Sequence, residues 1–205
     1  EDLTAIPGVD VAVMRDARLR ADLPAALYPV RSATDFQKVF RSAMRDADAV
    51  WPIAPEQDGV LSRVTDQILR TGRTLLGCRP DAVKITTSKR ATSDLLAHAG
   101  VAALPPYVDE RSVPAAMGGI VAKPDDGAGC QATRLFRDRS QLRAWLRNNA
   151  HAGLVFQNYL EGDPRSLSVL CCDGRARVLA CNPQNVRLAG GAFAFWGWGC
   201  GAGLA

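Results

Sequence analysis

Residues Val121–Gln131, "VAKPDDGAGCQ", put one lysine at the end of an apolar run and follow it with a loop of Asp, Gly and Ala. The run from Gly119 to Lys123 reads as a strand and Ala132 to Phe136 as its hairpin partner. Glycines let a backbone fold closely over a ligand and aim its amides inward, which suits a phosphate chain, and Lys123 adds a compact positive charge. A strand, a glycine loop and a second strand also describe an ordinary hairpin, so the stretch alone leaves both readings open. The lysine distribution strengthens the first. Only Lys38, Lys84, Lys89 and Lys123 occur, against a large majority of arginine. A skewed genome composition explains the arginine excess but not a lysine in a glycine-loop strand and another in "TTSKRATSDLL".

On the amino-terminal side, Val9–Met14 reads as a strand and Ala33–Asp46 as a helix, with Phe36, Val39, Phe40 and Ala43 on one face and Thr34 or Asp35 as N-cap. Ala47–Ala54 reads as an apolar strand, Gly59–Leu69 as a helix and Thr74–Gly77 as a brief strand. This alternation predicts βαβ units around a parallel sheet. Ligands gather at the carboxyl ends of strands in such sheets, where Glu56 and Asp58 would lie, although the same acids also suit a turn and a helix start. Ala82–Ala99 reads as one helix ending at Gly100, and the prolines of Val101–Tyr107 keep that segment extended.

On the carboxyl-terminal side, Ser140–Asn149 reads as an amphipathic helix, and Leu154–Tyr159, Ser166–Cys172 and Ala176–Cys181 as strands. The last two are joined by a tight "DGR" turn. Character changes near residue 80, from alternating strand and helix to hairpins around one helix. The segment "VFQNYLEGDPRSLSV", Val155–Val169, can offer backbone groups to an adenine edge and an acid to ribose; it also fits a plain strand and loop.

At 205 residues the chain can bury a substantial core, and 47% hydrophobic with 22% charged residues is the balance of a globular protein. The net charge of +4 is scattered and aromatics are 6%, so a nucleic-acid surface lacks both a basic stripe and a stacking platform. The longest uncharged stretch, Leu188–Ala205, is glycine-rich and falls short of a good membrane span. The six cysteines contain no C-x-x-C pair and are joined only by His98 and His151, which argues against zinc and for reduced thiols in a cytoplasmic protein. The chain opens on "EDLTAIPGVDVAVMRD", the end of a helix and then a strand, and closes on the apolar "AFWGWGCGAGLA"; further sequence is expected at each end.

Together, "SKRATSDLLAHAGVAALPP", "GIVAKPDDGAGCQ" and "VFQNYLEGDPRSLSVLCCDGRARVLACNPQNV" resemble the ATP-grasp superfamily in order and separation. The earlier "DAVWPIAPEQDGVLSRVTDQI" is similar to the domain that precedes that fold. The resemblance implies an α/β plus α+β architecture, with a Rossmann-like pre-ATP-grasp domain at 1–79 and an ATP-grasp fold at 80–205, incomplete at its carboxyl end. Residues 80–155 would form the small nucleotide-covering lobe and 156–205 the start of the larger one. More narrowly, "APEQDG", "KPDDGAG" and "SLSVL" resemble the branch containing archaeal tyramine-glutamate ligase of methanofuran biosynthesis and related proteins of methylotrophic bacteria, which implies one-carbon metabolism.

Carried over by position, the resemblance makes Lys89 the first ATP lysine, with Ser88 where the family has Asp. Lys123 becomes the second, catalytic, lysine, and Gly127, Ala128, Gly129 and Cys130 the loop over the phosphates. Gln157, Asn158, Tyr159 and Leu160 become the hinge, with Asn158 and Leu160 offering backbone to adenine. Glu161 or Asp163 would hold ribose, and Glu56 would face the acceptor end of the cleft. ATP and Mg2+ are the implied cofactors, and a small carboxylic acid and an amine the implied substrates; the resemblance leaves room for a homodimer. One departure concerns magnesium: no E-x-N motif follows residue 169, and Asn182 and Asn185 cannot replace carboxylates for a hard cation. The alternatives are a nucleotide-binding protein without chemistry and an α/β interaction domain without nucleotide.

Overall fold

A computed structural model describes residues 2–19, 22–115, 118–149 and 152–199. His151 and Cys200 lie outside them. The chain divides into two compact units, residues 1–54 with 61–80, and residues 55–60 with 81–205.

In the first unit, strands β1 (Ala12–Asp16) and β2 (Ala26–Val30) pair in parallel. Helix α1 (Phe36–Asp46) leads to β3 (Ala49–Val50), helix α2 (Val60–Arg70) to β4 (Thr74–Leu75), and β3 and β4 are again parallel. The expected parallel pairing is therefore present, in two separate two-stranded pieces. Phe40, Met44 and Ile68 form the core, edged by Met14, Val50, Val64 and Leu75. The strand expected over Ala47–Ala54 forms a ladder only at Ala49–Val50, because Pro52 and Pro55 have no N–H to donate.

The second unit starts from two helices where the sequence suggested one. Helix α3 (Pro80–Thr87) begins on a proline, whose missing N–H costs nothing at a first helical position, and α4 (Lys89–His98) follows. Ser88 separates them at φ −88° and ψ 121°, and its side chain accepts a hydrogen bond from the Ala91 amide, a serine N-cap. Strands β5 (Ile120–Pro124), β6 (Arg134–Phe136), β7 (Leu154–Asn158), β8 (Arg165–Cys172), β9 (Arg175–Ala189) and β10 (Ala192–Trp198) make one antiparallel sheet in the order β7-β5-β6-β10-β9-β8.

Helix α5 (Arg139–Leu146) starts at Asp138, which accepts from the Ser140 and Gln141 amides at 2.9 Å each. It delivers Leu142, fully buried, onto Ile120, Ala122, Phe136 and Phe156. Burial of each of the larger side chains, Leu142, Ile120, Phe136 and Phe156, is worth roughly 1.5–3 kcal/mol relative to exposure. Side chains alternate along a strand, so Ile120 and Ala122 face α5 while Val121 and Lys123 face away from it.

Candidate functional site

The segment after β5 is tied back to the start of α4. Asp125 is the central group: its carboxylate accepts from Ser88 Oγ at 2.7 Å and from the Arg90 amide at 3.0 Å, and lies 3.6 Å from Arg90 Nε. Its carbonyl accepts from the Lys89 amide at 3.0 Å and from Lys89 Nζ at 3.1 Å. Burial pushes the Asp125 carboxyl up, but the Ser88 and Arg90 hydrogen bonds and the charges of Arg90 and Lys89 outweigh it and hold the pKa below the usual carboxylate value.

Lys89 Nζ also donates to the Gly127 carbonyl at 2.6 Å, so this lysine holds the glycine loop from within. Burial lowers its pKa, while Asp125, Asp126 and Glu56 work the other way. Glu56 is exposed, at the head of the short 3-10 turn Gln57–Gly59. Gln57 Nε2 donates to Gln131 Oε1 at 2.6 Å, which joins that turn to the far end of the glycine loop.

Lys123 is half-buried on the face away from α5 and, among the described residues, has no hydrogen-bond or ion-pair partner. Burial lowers its pKa and the neighbouring Lys89 charge lowers it further, against a small opposing effect of Cys130. Two part-buried cations without a dedicated carboxylate for one of them create a demand for an anion. The loop beside them, Gly127 to Cys130, supplies polar backbone. A side chain at Gly127 would press on Pro124 at 3.1 Å, and Gly129 and Cys130 both have left-handed backbone, φ 58° and 62°.

The hinge residues sit on β7 and just past it. In the β5–β7 register Val121 opposes Gln157 and Lys123 opposes Val155, so Gln157 and Lys123 share a sheet face. Gln157 is buried and its Nε2 donates to the Leu104 carbonyl at 2.6 Å, which fixes the extended segment after α4 on that face. Asn158 opposes Ile120, and its Oδ1 is buried with no hydrogen-bond partner. The Tyr159 amide donates to the Gly119 carbonyl at 3.0 Å and its ring lies 6.1 Å from that of Phe193. Leu160, Glu161 and Asp163 are exposed, the last 3.9 Å from Arg165. The structure thus gathers Lys89, Lys123 and the glycine loop, sets Gln157 on the same sheet face as Lys123, and leaves Glu161 and Asp163 on the surface.

A cavity of about 560 Å³ opens beside the loop, lined by Gly129, Cys130 and side chains of β8, β9 and β10. Among the described residues no three His, Cys, Asp or Glu side chains are grouped to hold a metal ion. At nucleotide sites magnesium rests on one or two carboxylates together with phosphate oxygens and water, and among the described residues no Asp or Glu lines the cavity beside the loop.

Residues 86–200 match the family model described as an ATP-grasp domain, and residues 9–83 match one described as a pre ATP-grasp 3 domain. This chain belongs to the ATP-grasp family. Solved structures with this ATP-grasp fold include a protein assigned to the superfamily from Archaeoglobus fulgidus, with TM-score 0.63 and 20% identity over 87% of this chain and 49% of that one. An L-amino acid ligase from Bacillus licheniformis follows, with TM-score 0.61 and 16% identity over 86% and 45%. The biotin carboxylase domain of Hydrogenobacter thermophilus 2-oxoglutarate carboxylase, solved with MgADP, ADP and bicarbonate, gives TM-score 0.61 and 16% identity over 82% and 42%. The chain spans about half the length of these structures. No curated protein matches it. No helix among the described residues is long and apolar enough to cross a membrane.

Sequence reasoning missed Asp125 and the aromatic side of the cavity. Asp125 had a local signal, an acid two residues past Lys123 facing a serine N-cap at Ser88. The strand β10 has one too, in the alternating "AFAFWGW".

Proposed function

We propose that this ATP-grasp chain carries the nucleotide-holding part of an ATP-dependent ligase that joins a carboxylic acid to an amine through an acylphosphate. One observation carries the proposal: the half-buried Lys123 ammonium, unpaired among the described residues and beside a second lysine, lies next to a glycine loop. A polyphosphate supplies the missing countercharge, and the loop amides supply donors to its oxygens.

In this scheme a carboxylate oxygen attacks the γ-phosphorus, the bond to the bridging oxygen breaks and ADP leaves. Lys123 and Lys89 offset the charge on the phosphoryl oxygens, and the loop Gly127–Cys130 keeps water from the acylphosphate. An amine nitrogen then attacks the acyl carbon, phosphate departs with the C–O electron pair, and the amine gives its proton to solvent. Gln157, Asn158, Tyr159 and Leu160 serve as the hinge, with the Asn158 and Leu160 backbone toward adenine. Glu161 or Asp163 takes the ribose hydroxyls, and Glu56 faces the acceptor end. The magnesium that ligases of this kind use has no carboxylate cage among the described residues, and no step here is routed through it.

The working division is 1–79 for the pre-ATP-grasp domain and 80–205 for the ATP-grasp fold, with lobes at 80–155 and 156–205. At the substrate level we propose glutamate and an aromatic amine such as tyramine, in a cytoplasmic, one-carbon setting akin to methanofuran biosynthesis and with a homodimer as the assembly to test; the short motifs quoted above support this. A second reading, nucleotide binding without chemistry, is favoured by the lack of a carboxylate cage among the described residues. Calorimetry with ATP, on the protein and on Lys123→Ala, tests the site: binding that falls at least about tenfold in the variant supports it, and absence of ATP binding refutes it. Release of ADP and phosphate only when acid and amine are both present separates ligase from binder.

A further inference from the structure

We propose that the cavity beside the glycine loop is a binding site for a flat aromatic molecule without negative charge, the acceptor side of the reaction; that role, though not the site itself, rests on the ligase reading above.

The floor of the cavity is a single face of three strands. Ser166 and Ser168 alternate along β8, Asn182 opposes Ser166 on β9, and Gln184 follows two residues later on the same face. Asn182 Nδ2 donates to Ser168 Oγ at 2.9 Å, so this polar patch is pre-arranged.

The third strand should not contribute two aromatic rings to that face. Phe195 and Trp198 are three residues apart, and in a regular strand an odd separation puts them on opposite sides. The β9–β10 register shifts between them. Phe195 opposes Val186, but Trp198, rather than Gly197, opposes Gln184. Gly197 absorbs the extra residue at φ 119°, a backbone conformation open to glycine. The bulge therefore turns Trp198 onto the face that already carries Phe195, with ring centroids 5.7 Å apart and planes tilted by 33°. Trp196, left on the opposite face, lies under Arg187 at 5.5 Å.

The resulting wall combines two aromatic rings with two hydroxyls and two carboxamides, and among the described residues no Lys, Arg, Asp or Glu lines it. At about 560 Å³ the space is of the size that takes a small molecule. Among the lining side chains a polyphosphate or a free carboxylate would find no cation, Lys123 acting at the Cys130 edge of the space. An aromatic ring gains stacking or edge contacts, an attached ammonium gains attraction to the ring faces, and either finds neutral hydrogen-bonding groups.

The test is calorimetry on the intact protein with three probes of similar size: phenethylamine, 2-cyclohexylethylamine and 3-phenylpropionate. Phenethylamine should bind, and the aliphatic and the anionic probes should bind at least roughly tenfold more weakly. Trp198→Ala should weaken phenethylamine by a similar factor, Trp198→Phe should largely retain it, and Trp196→Ala should leave it unchanged, with circular dichroism confirming the fold of each. Absence of phenethylamine binding, equal binding of 3-phenylpropionate, or indifference to Trp198→Ala in a folded variant overturns the assignment. ATP titrated into the same samples separates the two proposals. Binding of ATP without phenethylamine overturns this site alone, and binding of phenethylamine without ATP overturns the nucleotide site while keeping this one.

Discussion

Replacing Asp125 by alanine should loosen the junction between α4 and the glycine loop. The carboxylate is 19% exposed and accepts two hydrogen bonds, 2.7 Å from Ser88 Oγ and 3.0 Å from the Arg90 amide. Bonds to a charged group contribute about 1.5–3 kcal/mol each. The 3.6 Å contact with the half-exposed Arg90 side chain adds well under about 1 kcal/mol. The two bonds share one acceptor group and are not additive, so the expected loss is about 2–4 kcal/mol, or roughly 30- to 1000-fold in the local opening equilibrium. Hydrogen exchange at the Arg90, Ala91 and Thr92 amides measures it directly, without nucleotide and without assuming all-or-none unfolding. Asp125→Asn keeps one acceptor and should cost about half as much. The sign with pH follows: the folded carboxyl lies below its ordinary value of 3.8, so its contribution is full above that value and is lost as pH falls through the lowered one. The alanine variant should lack this acid dependence. Protection of these amides within about twofold of the parent in Asp125→Ala would refute the clasp, since an interaction worth less than about 0.4 kcal/mol holds nothing in place.

Three further outcomes follow from the same geometry. Lys123 titrates below an ordinary lysine because of burial and Lys89, and a bound phosphate favours its charged form, so ATP affinity should fall as pH rises through that lowered pKa; calorimetry at a series of pH values up to the ordinary lysine value of 10.5 checks it. Gly119→Ala places a Cβ 2.4 Å from the Phe136 carbonyl at φ 97° and should cost well over about 2 kcal/mol, whereas Gly129→Ala, at φ 58° with open space, should cost about 1 kcal/mol; thermal melts compare them. Leu142→Ala opens a cavity under α5 and should cost about 2–5 kcal/mol, read from the melting of the second unit.

Those elements whose signal is local were legible in the sequence. The 3.6-residue spacing of Phe36, Phe40 and Ala43 placed α1 to within a few residues, and Gly119–Lys123 with Ala132–Phe136 gave the β5–β6 hairpin. What failed depended on one residue overriding a smooth pattern. The apolar periodicity of Ala82–Ala99 runs across Ser88, but that side chain prefers capping to continuing a helix, and two helices result. The strand β2, "ALYPV", hides behind its proline, which a parallel pair tolerates at an edge. In the last segment Gly190 and Gly191 make the turn, and the one glycine inside β10, Gly197, sits at a bulge, which the alternating pattern does not show.

The candidate site divides along the same line, between what a residue is and what surrounds it. A lysine in front of glycines is visible in one dimension, and the sequence could rank Lys123 and Lys89 together. Only the folded chain separates them. Lys89 Nζ is committed to the Asp125 and Gly127 carbonyls, and among the described residues Lys123 is committed to nothing. An incoming anion therefore meets Lys123 without breaking any bond, whereas engaging Lys89 means giving up or bending the two bonds that hold the loop. If a phosphate draws on both lysines, the loop must shift when it binds, and exchange at the Gln131 amide, bonded at rest to the Ala128 carbonyl, should change on adding ATP. If that amide is unaffected while ATP binds, Lys123 alone carries the contact and Lys89 serves only to position the loop.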